Sequence, residues 1–272
     1  MPVLVTGAES AVGRATVRRL ARGGGEVRVF LDLERVSVAD PAPFKALGCK
    51  VAQGALDDEG HVETALEQVH TVMHLASSVL DDPSQMRDGA ATVLSAAIGA
   101  GCRRVVWLSH LGVEVGDGNI EERNPWLVAC AEVEELLADA PLESIVFRRA
   151  LTYGASDDLT AALAGKLCGV RSGRHAPLYA EDLAATVVAA DRERVRSATS
   201  DLHLVVSISG PDVLDLAEIV RALSGAPTAG ATAPRLPDHA VDLYGRDLLP
   251  PPGAIGTRGT PFATGLASLA AG

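Results

Sequence analysis

The chain has 272 residues, 47% of them hydrophobic and 22% charged, enough for one large α/β core or two modest domains. Its formal net charge of −11 argues against nucleic acid and anionic membranes as partners, because long-range repulsion opposes both. The four cysteines (Cys49, Cys102, Cys130 and Cys168) are too scattered for a zinc site or a disulfide framework and read as isolated thiols.

Short Val/Leu-rich runs at 3–5, 27–31, 50–53, 71–75, 104–108, 144–147 and 203–206 are the expected strands. Segments of helical spacing lie between them, at 12–22, 61–68, 86–100 and 127–138. Continuous apolar strands alternating with helices imply strands buried on both faces, hence a doubly wound, Rossmann-type parallel sheet. Past about residue 155 the pattern loosens. Residues 155–176 read as helix and loop, 181–191 and 214–224 as helices, and the Pro/Gly/Ala-rich 225–261 as an irregular cap. The expected organisation is a dinucleotide-binding core over 1–154, with 155–272 completing the sheet and forming a small substrate lobe of the same structural unit. The sequence opens on a strand, without a basic and apolar leader, and contains no apolar run of membrane-spanning length. A cytoplasmic location is the expectation.

The first strand runs into Thr6-Gly7-Ala8-Glu9-Ser10-Ala11-Val12-Gly13-Arg14, followed by a helical pattern. Gly7 permits a tight turn out of the strand, and Gly13 permits close packing of helix on sheet. The helix start then offers unpaired N–H groups and a positive dipole end to a pyrophosphate. Gly7, Glu9, Ser10, Ala11, Val12 and Gly13 are therefore the expected contacts of NAD or NADP. Asp32, at the end of the second strand, can accept both hydroxyls of the adenosine ribose, which favours NAD. Arg14 and Arg35 can serve a 2′-phosphate, so NADP stays open.

These residues resemble the short-chain dehydrogenase/reductase superfamily, in its extended and atypical (NmrA-like) branches. Thr6-Gly7-x-x-Ser10-x-x-Gly13 resembles the family's glycine loop, with serine for the middle glycine. Gly54-Ala55-Leu56-Asp57-Asp58 is similar to the segment after its third strand, and His74-Leu75-Ala76-Ser77 to the end of its fourth. Val105–Val106–Trp107–Leu108–Ser109–His110 resembles the strand that carries the family's serine, and Arg148–Arg149–Ala150–Leu151–Thr152–Tyr153–Gly154 its Leu-Arg-Pro…Tyr-Gly segment, with Arg149 for proline. Leu178–Tyr179–Ala180–Glu181–Asp182–Leu183–Ala184 and the C-terminal stretch 261–269 complete a likeness that runs nearly the whole chain. The resemblance implies cofactor contacts at Ala55, Leu56, Ala76, Ser77, Arg149 and Ala150.

The same alignment puts Trp126 and Cys130 where the family carries its Tyr-x-x-x-Lys proton-donating pair. An indole does not ionise usefully, and a thiol cannot carry the lysine's fixed charge. Two readings follow. In one, the protein is an NAD(P)H-dependent ketoreductase of an aromatic polyketide or quinone-like ketone, a small molecule whose own neighbouring phenol protonates the oxyanion. The resemblance here is to the angucyclinone polyketide ketoreductases that lack the pair. In the other, it is a non-catalytic NmrA-like dinucleotide sensor that acts through a partner.

For the ketoreductase, Ser109 is a carbonyl or ribose contact, or else a strand-end cap. His110 is a proton donor near neutral pH, or else a surface or ribose-contacting residue. Trp126 and Tyr153 are the candidate substrate contacts, with core filling as the alternative for Trp126. Asp57 and Asp58 are expected to cap the following helix, His74 to be a satisfied core histidine, and Glu134 and Glu135 to lie on an exposed helix face. The superfamily leaves a monomer and a homodimer both open.

Overall fold

The computed structural model describes residues 1–33, 40–113, 123–155, 157–164, 173–192, 202–224, 235–254 and 259–271. In chain order the first half runs β1 (Val3–Thr6), α1 (Ala11–Arg22), β2 (Val27–Asp32), α2 (Ala42–Ala46), β3 (Lys50–Gly54), α3 (Glu59–Leu66), β4 (Thr71–His74), α4 (Pro83–Gly99), β5 (Arg104–His110), α5 (Pro125–Ala138) and β6 (Glu143–Arg149). The second half adds β7 (Thr152–Tyr153), α6 (Asp158–Ala164), β8 (Arg174–His175), β9 (Leu178–Tyr179), α7 (Ala180–Arg192), β10 (His203–Ile208), β11 (Leu214–Asp215), α8 (Leu216–Leu223), α9 (Asp238–Tyr244) and α10 (Phe262–Ala271).

Seven parallel strands form one sheet in the order β10-β6-β5-β4-β1-β2-β3. The chain leaves β1 toward β2 and β3, then returns to the other side at β4. That reversal opens a crevice beyond the C-terminal ends of β1 and β4, where ligands bind in doubly wound sheets. Successive strand residues face opposite sides, so each strand feeds two cores. Leu4, Phe30, Val72, Val105, Trp107 and Val146 pack beneath α3, α4 and α5. Val5, Val29, Leu31, Met73, Val106, Leu108 and Phe147 pack beneath α1 and α7. Each fully buried Val, Leu or Phe contributes roughly 1.5–3 kcal/mol.

Local chemistry sets the helix starts. Ser10, Asp58, Asp82 and Asn124 each accept a backbone N–H in the first turn of α1, α3, α4 and α5, and Pro83 and Pro125 follow two of them. Of the expected cap pair, Asp58 does the capping. The 225–261 stretch is not wholly irregular, because α9 forms inside it and buries Ala240, Leu243 and Tyr244. Expectations at 165–172, 225–234 and 255–258 lie outside the described residues. No helix among the described residues is long and apolar enough to cross a membrane.

At the opposite, N-terminal edge of the sheet, Arg104 is fully buried and faces Glu143 across the β5–β6 register. Its guanidinium bonds the Glu143 carboxylate and also donates to the carbonyl oxygens of Ala190 and Asp191 at 2.8 and 2.9 Å. It thus fastens the end of α7 to the sheet. Arg104→Met strands the Glu143 carboxylate in the interior, and chemical denaturation is expected to show a loss of about 3–5 kcal/mol. A loss below about 1 kcal/mol would contradict this account of the pair.

Candidate active site

The turn between β1 and α1 is built by backbone proximity. Gly7 has φ +65°, and a Cβ there would lie 2.5 Å from the backbone nitrogen of Ala76. A Cβ on Gly13 would lie 2.0 Å from the carbonyl oxygen of Gly7. No side chain fits at either place. Ser10, where the family's middle glycine would stand, donates its hydroxyl to Gly7 O at 2.9 Å and accepts Gly13 N–H at 3.0 Å. Serine therefore closes the turn and caps α1 together. Glu9 and Ser10 are half-buried beside the buried Ala11 and Val12. Gly154 presses on the same place, since its Cβ would lie 2.5 Å from the Ala11 Cβ. Asp32 ends β2 half-buried, Ala55 and Leu56 follow β3, and Ala76 and Ser77 follow β4 as buried residues. Arg35 lies outside the described residues.

Asp157 also reaches this turn. Its carboxylate caps α6 through Thr160 N–H and Oγ1, each at 3.0 Å, and accepts the Ala11 N–H at the start of α1. Burial raises its pKa above the usual carboxylate range, and the hydrogen bonds from Thr160 and Ala11, with the Arg149 charge, offset part of that rise.

Farther along the crevice, His110 and Arg149 end β5 and β6 as register neighbours. Arg149 is buried, and its guanidinium crosses above β5 to donate to Ser77 O at 2.5 Å, beyond the end of β4. The Arg149 side chain is thereby held inside the protein and not in solvent. His110 Nδ1 donates to Leu111 O at 2.8 Å, which leaves Nε2 as a bare acceptor. Burial, and then the Arg149 charge, push the His110 pKa down to about 3. The ring is neutral at physiological pH and carries no proton on the free nitrogen. The expectation that His110 donates a proton near neutral pH is therefore corrected.

Ser109 donates to Glu134 at 2.5 Å, and Arg148 holds the same carboxylate at 2.6–3.1 Å. Glu134 is buried, not on an exposed face, and joins α5 to the ends of β5 and β6. Tyr153 donates to Phe262 O at 3.4 Å, and its ring sits 4.9 Å from that of Phe262, under α10. Trp126 is fully buried, with its ring stacked 6.0 Å from His239 of α9. Burial raises the Cys130 thiol to about 12. His74 shares a 2.7 Å hydrogen bond with Thr6 inside the sheet.

Sequence reasoning missed Tyr244. This residue of α9 is fully buried, with its ring 6.0 Å from His110 and 5.7 Å from His175. Its hydroxyl, His110 Nε2, Arg149 Nε and Trp126 Nε1 are buried polar atoms without hydrogen-bond partners among the described residues. Nothing in the spacing around Tyr244 signals the site, because α9 reaches it from the far end of the chain.

The family model described as NAD(P)H-binding matches residues 7–153, more than half of the chain. Over 116 residues the chain is 38% identical to a (4-alkanoyl-5-oxo-2,5-dihydrofuran-3-yl)methyl phosphate reductase of Streptomyces griseus, covering 42% of this chain and 36% of that protein. Over 119 residues it is 34% identical to sterol demethylase protein B of Methylococcus capsulatus, covering 41% and 35%. These matches span only about a third of the length of either relative. The UDP-glucose 4-epimerase of Thermus thermophilus, solved with NAD, superposes with a TM-score of 0.66 at 20% identity over 92% of this chain and 90% of that one. An NAD-dependent NDP-hexosamine 5,6-dehydratase of tunicamycin biosynthesis gives 0.64 at 20% over 99% and 96%. At such identity the likeness is one of fold.

The cradle itself suits a dinucleotide. Two positions exclude any Cβ, and a capped helix start points into the crevice. Asp157, like Glu9 in the turn, is a carboxylate that opposes an anion there. Because burial raises its pKa, it takes up a proton above the ordinary carboxylate range as pH falls, and the repulsion is relieved. Asp157→Asn is expected to tighten NADPH binding about 3–10-fold at neutral pH, the scale of one solvent-screened charge contact. The gain should shrink in mildly acidic buffer, as read by cofactor fluorescence titration. Unchanged or weaker binding at neutral pH would contradict it. By the fit of this cradle and the match that begins at Gly7, the chain belongs to the NAD(P)H-binding family.

Proposed function

We propose that the protein is an NAD(P)H-dependent ketoreductase of a small aromatic polyketide or quinone-like ketone. The observation that carries the reading is the cluster of unpartnered buried polar atoms around the ends of β5 and β6. A buried polar atom left unpaired costs roughly 1–3 kcal/mol, so Tyr244 Oη and His110 Nε2, on rings 6.0 Å apart and without hydrogen-bond partners among the described residues, point to a place for a ligand. The Tyr244 ring lies 6.0 Å from His110 and 5.7 Å from His175, and Trp126 stacks 6.0 Å from His239, which shares α9 with Tyr244; such aromatic pairs suit a flat, oxygen-bearing substrate. The Streptomyces griseus relative is named as a reductase, which supports the reaction class.

The dinucleotide supplies a hydride when bound. The chain's own part is to bind, orient and exclude water. Gly7, Ser10 and Gly13 form the cradle, and Arg149 reaches over β5 toward Ser77, where a ribose is expected. On α5, neither the Trp126 indole nor the neutral Cys130 thiol can supply a proton near neutral pH.

The test uses NADPH and NADH deuterated at the transferring position, with a panel of hydroxylated aromatic ketones and quinones under anaerobic conditions. The expected result is one deuterium fixed on carbon in an alcohol product, or, for a quinone, an unlabelled hydroquinone two mass units heavier with matching cofactor oxidation, each detected by mass spectrometry. Tight cofactor binding with no labelled product from any ketone would replace this reading with a non-catalytic dinucleotide sensor.

A further inference from the structure

We infer that Tyr244 is the proton donor to the substrate carbonyl and that Arg149 holds the phenolate this leaves, a proposal that rests on the ketoreductase reading above. A carbonyl that accepts a hydride at carbon becomes an alkoxide, and its oxygen needs a proton from a donor within reach. The side chains around the crevice narrow the choice. His110 presents a bare Nε2, Ser109 is committed to Glu134, and Tyr153 is committed to Phe262. Trp126 does not ionise usefully, and the Cys130 thiol is held neutral. Tyr244 Oη is buried, carries a proton and has no hydrogen-bond partner among the described residues.

The charged and titratable groups that act on this phenol come from several elements. Arg149 of β6 and Asp157, just before α6, exert opposite influences on it, while His110 of β5 and His175 of β8 pack against its ring. His175 Nε2 donates to the backbone oxygen of Tyr244 at 2.8 Å, which fixes the end of α9 over the site. Burial raises the phenol above its ordinary range, Arg149 works against that rise, and Asp157 adds to it. The donor form therefore persists through neutral and into alkaline pH. Arg149 also acts on Cys130, the α5 residue that stands in the lysine position of the related reductases. A cation from β6 and a phenol from α9 thus act on one another electrostatically, where α5 supplies neither.

The step balances. Hydride arriving from the reduced dinucleotide forms the new C–H bond and breaks the C=O π bond, placing the electron pair on oxygen. The Tyr244 O–H bond breaks, its proton passes to that oxygen, and alcohol and oxidised dinucleotide result. Solvent later returns a proton to the phenolate beside Arg149.

The test compares 1-tetralone, which lacks a phenol beside its carbonyl, with 8-hydroxy-1-tetralone, which carries one. Tyr244→Phe removes an oxygen with no partner, so the melting temperature should hold or rise and NADPH affinity should stay within about twofold of wild type. The expected kcat loss on 1-tetralone is about 100-fold or more, with a much smaller loss on the hydroxylated ketone, whose own phenol substitutes. Arg149→Met should lower kcat on 1-tetralone, and Arg149→Lys should restore most of it. Independently of turnover, the infrared carbonyl band of 1-tetralone bound with the oxidised dinucleotide should move to higher frequency in Tyr244→Phe, because a hydrogen bond to oxygen is lost.

Equal rates for wild type and Tyr244→Phe on 1-tetralone would overturn the proposal, as would an unmoved carbonyl band or failure of the wild type to bind either tetralone. An equal loss on both ketones would also overturn it. If the wild type binds but reduces neither tetralone, the reductase reading fails for these ketones, and the carbonyl band still decides whether Tyr244 touches the oxygen.

Discussion

The structure turns on one backbone contact, the approach of the β1–α1 turn to the end of β4. Gly7 and Gly13 are the only residue type that fits, because any Cβ would overlap backbone atoms of Ala76 and of Gly7 itself. That approach sets the tilt of α1 on the sheet and aims its capped start at the crevice between β1 and β4. Ser10 makes the same turn self-sufficient by bonding Gly7 and Gly13 across it. Gly154 then brings the segment after β6 onto Ala11, so the glycine turn also positions the second half of the crevice.

Around this anchor the sheet is fastened differently at its two edges. At the N-terminal edge the Arg104–Glu143 pair is enclosed and saturated, which is how an interior charge is made tolerable. Near the C-terminal edge Arg148 and Ser109 saturate Glu134 in the same way. Among the described residues, Arg149 and His110 beside them, and Trp126 and Tyr244, keep polar atoms without hydrogen-bond partners. The satisfied Glu134 network thus stands one residue along each strand from the unsatisfied atoms of His110 and Arg149. The neutral His110, the raised Cys130 thiol and the buried Arg149 all follow from water being kept out there.

Much of the core was legible from residues alone. The runs at 3–5, 27–31 and 104–108 became β1, β2 and β5 with small changes at their ends, because a parallel strand buried on both faces leaves an uninterrupted apolar signature. The glycine turn was legible because only glycine satisfies its geometry, and Asp58 because capping is local chemistry. The short α9 was not legible, since its Asp238–Tyr244 stretch owes its place to Trp126, His175 and Val79, all distant in the chain. Glu134 looked like a surface charge because its partners, Arg148 and Ser109, come from strands that spacing on α5 does not reveal. Tyr244 stayed hidden for the same reason. Its meaning lies in ring contacts to His110 and His175, made by packing rather than by sequence neighbourhood.

The central claim is that the dinucleotide lies across the glycine turn and the C-terminal ends of β4 and β6. Amide hydrogen exchange of the wild-type chain, measured with and without saturating NADPH, tests it most directly and needs no variant. The account predicts slowed exchange in the segments at 7–14, 75–77 and 149–154, with the N-terminal edge around Arg104 unchanged. Tight NADPH binding that leaves those three segments unprotected would contradict it.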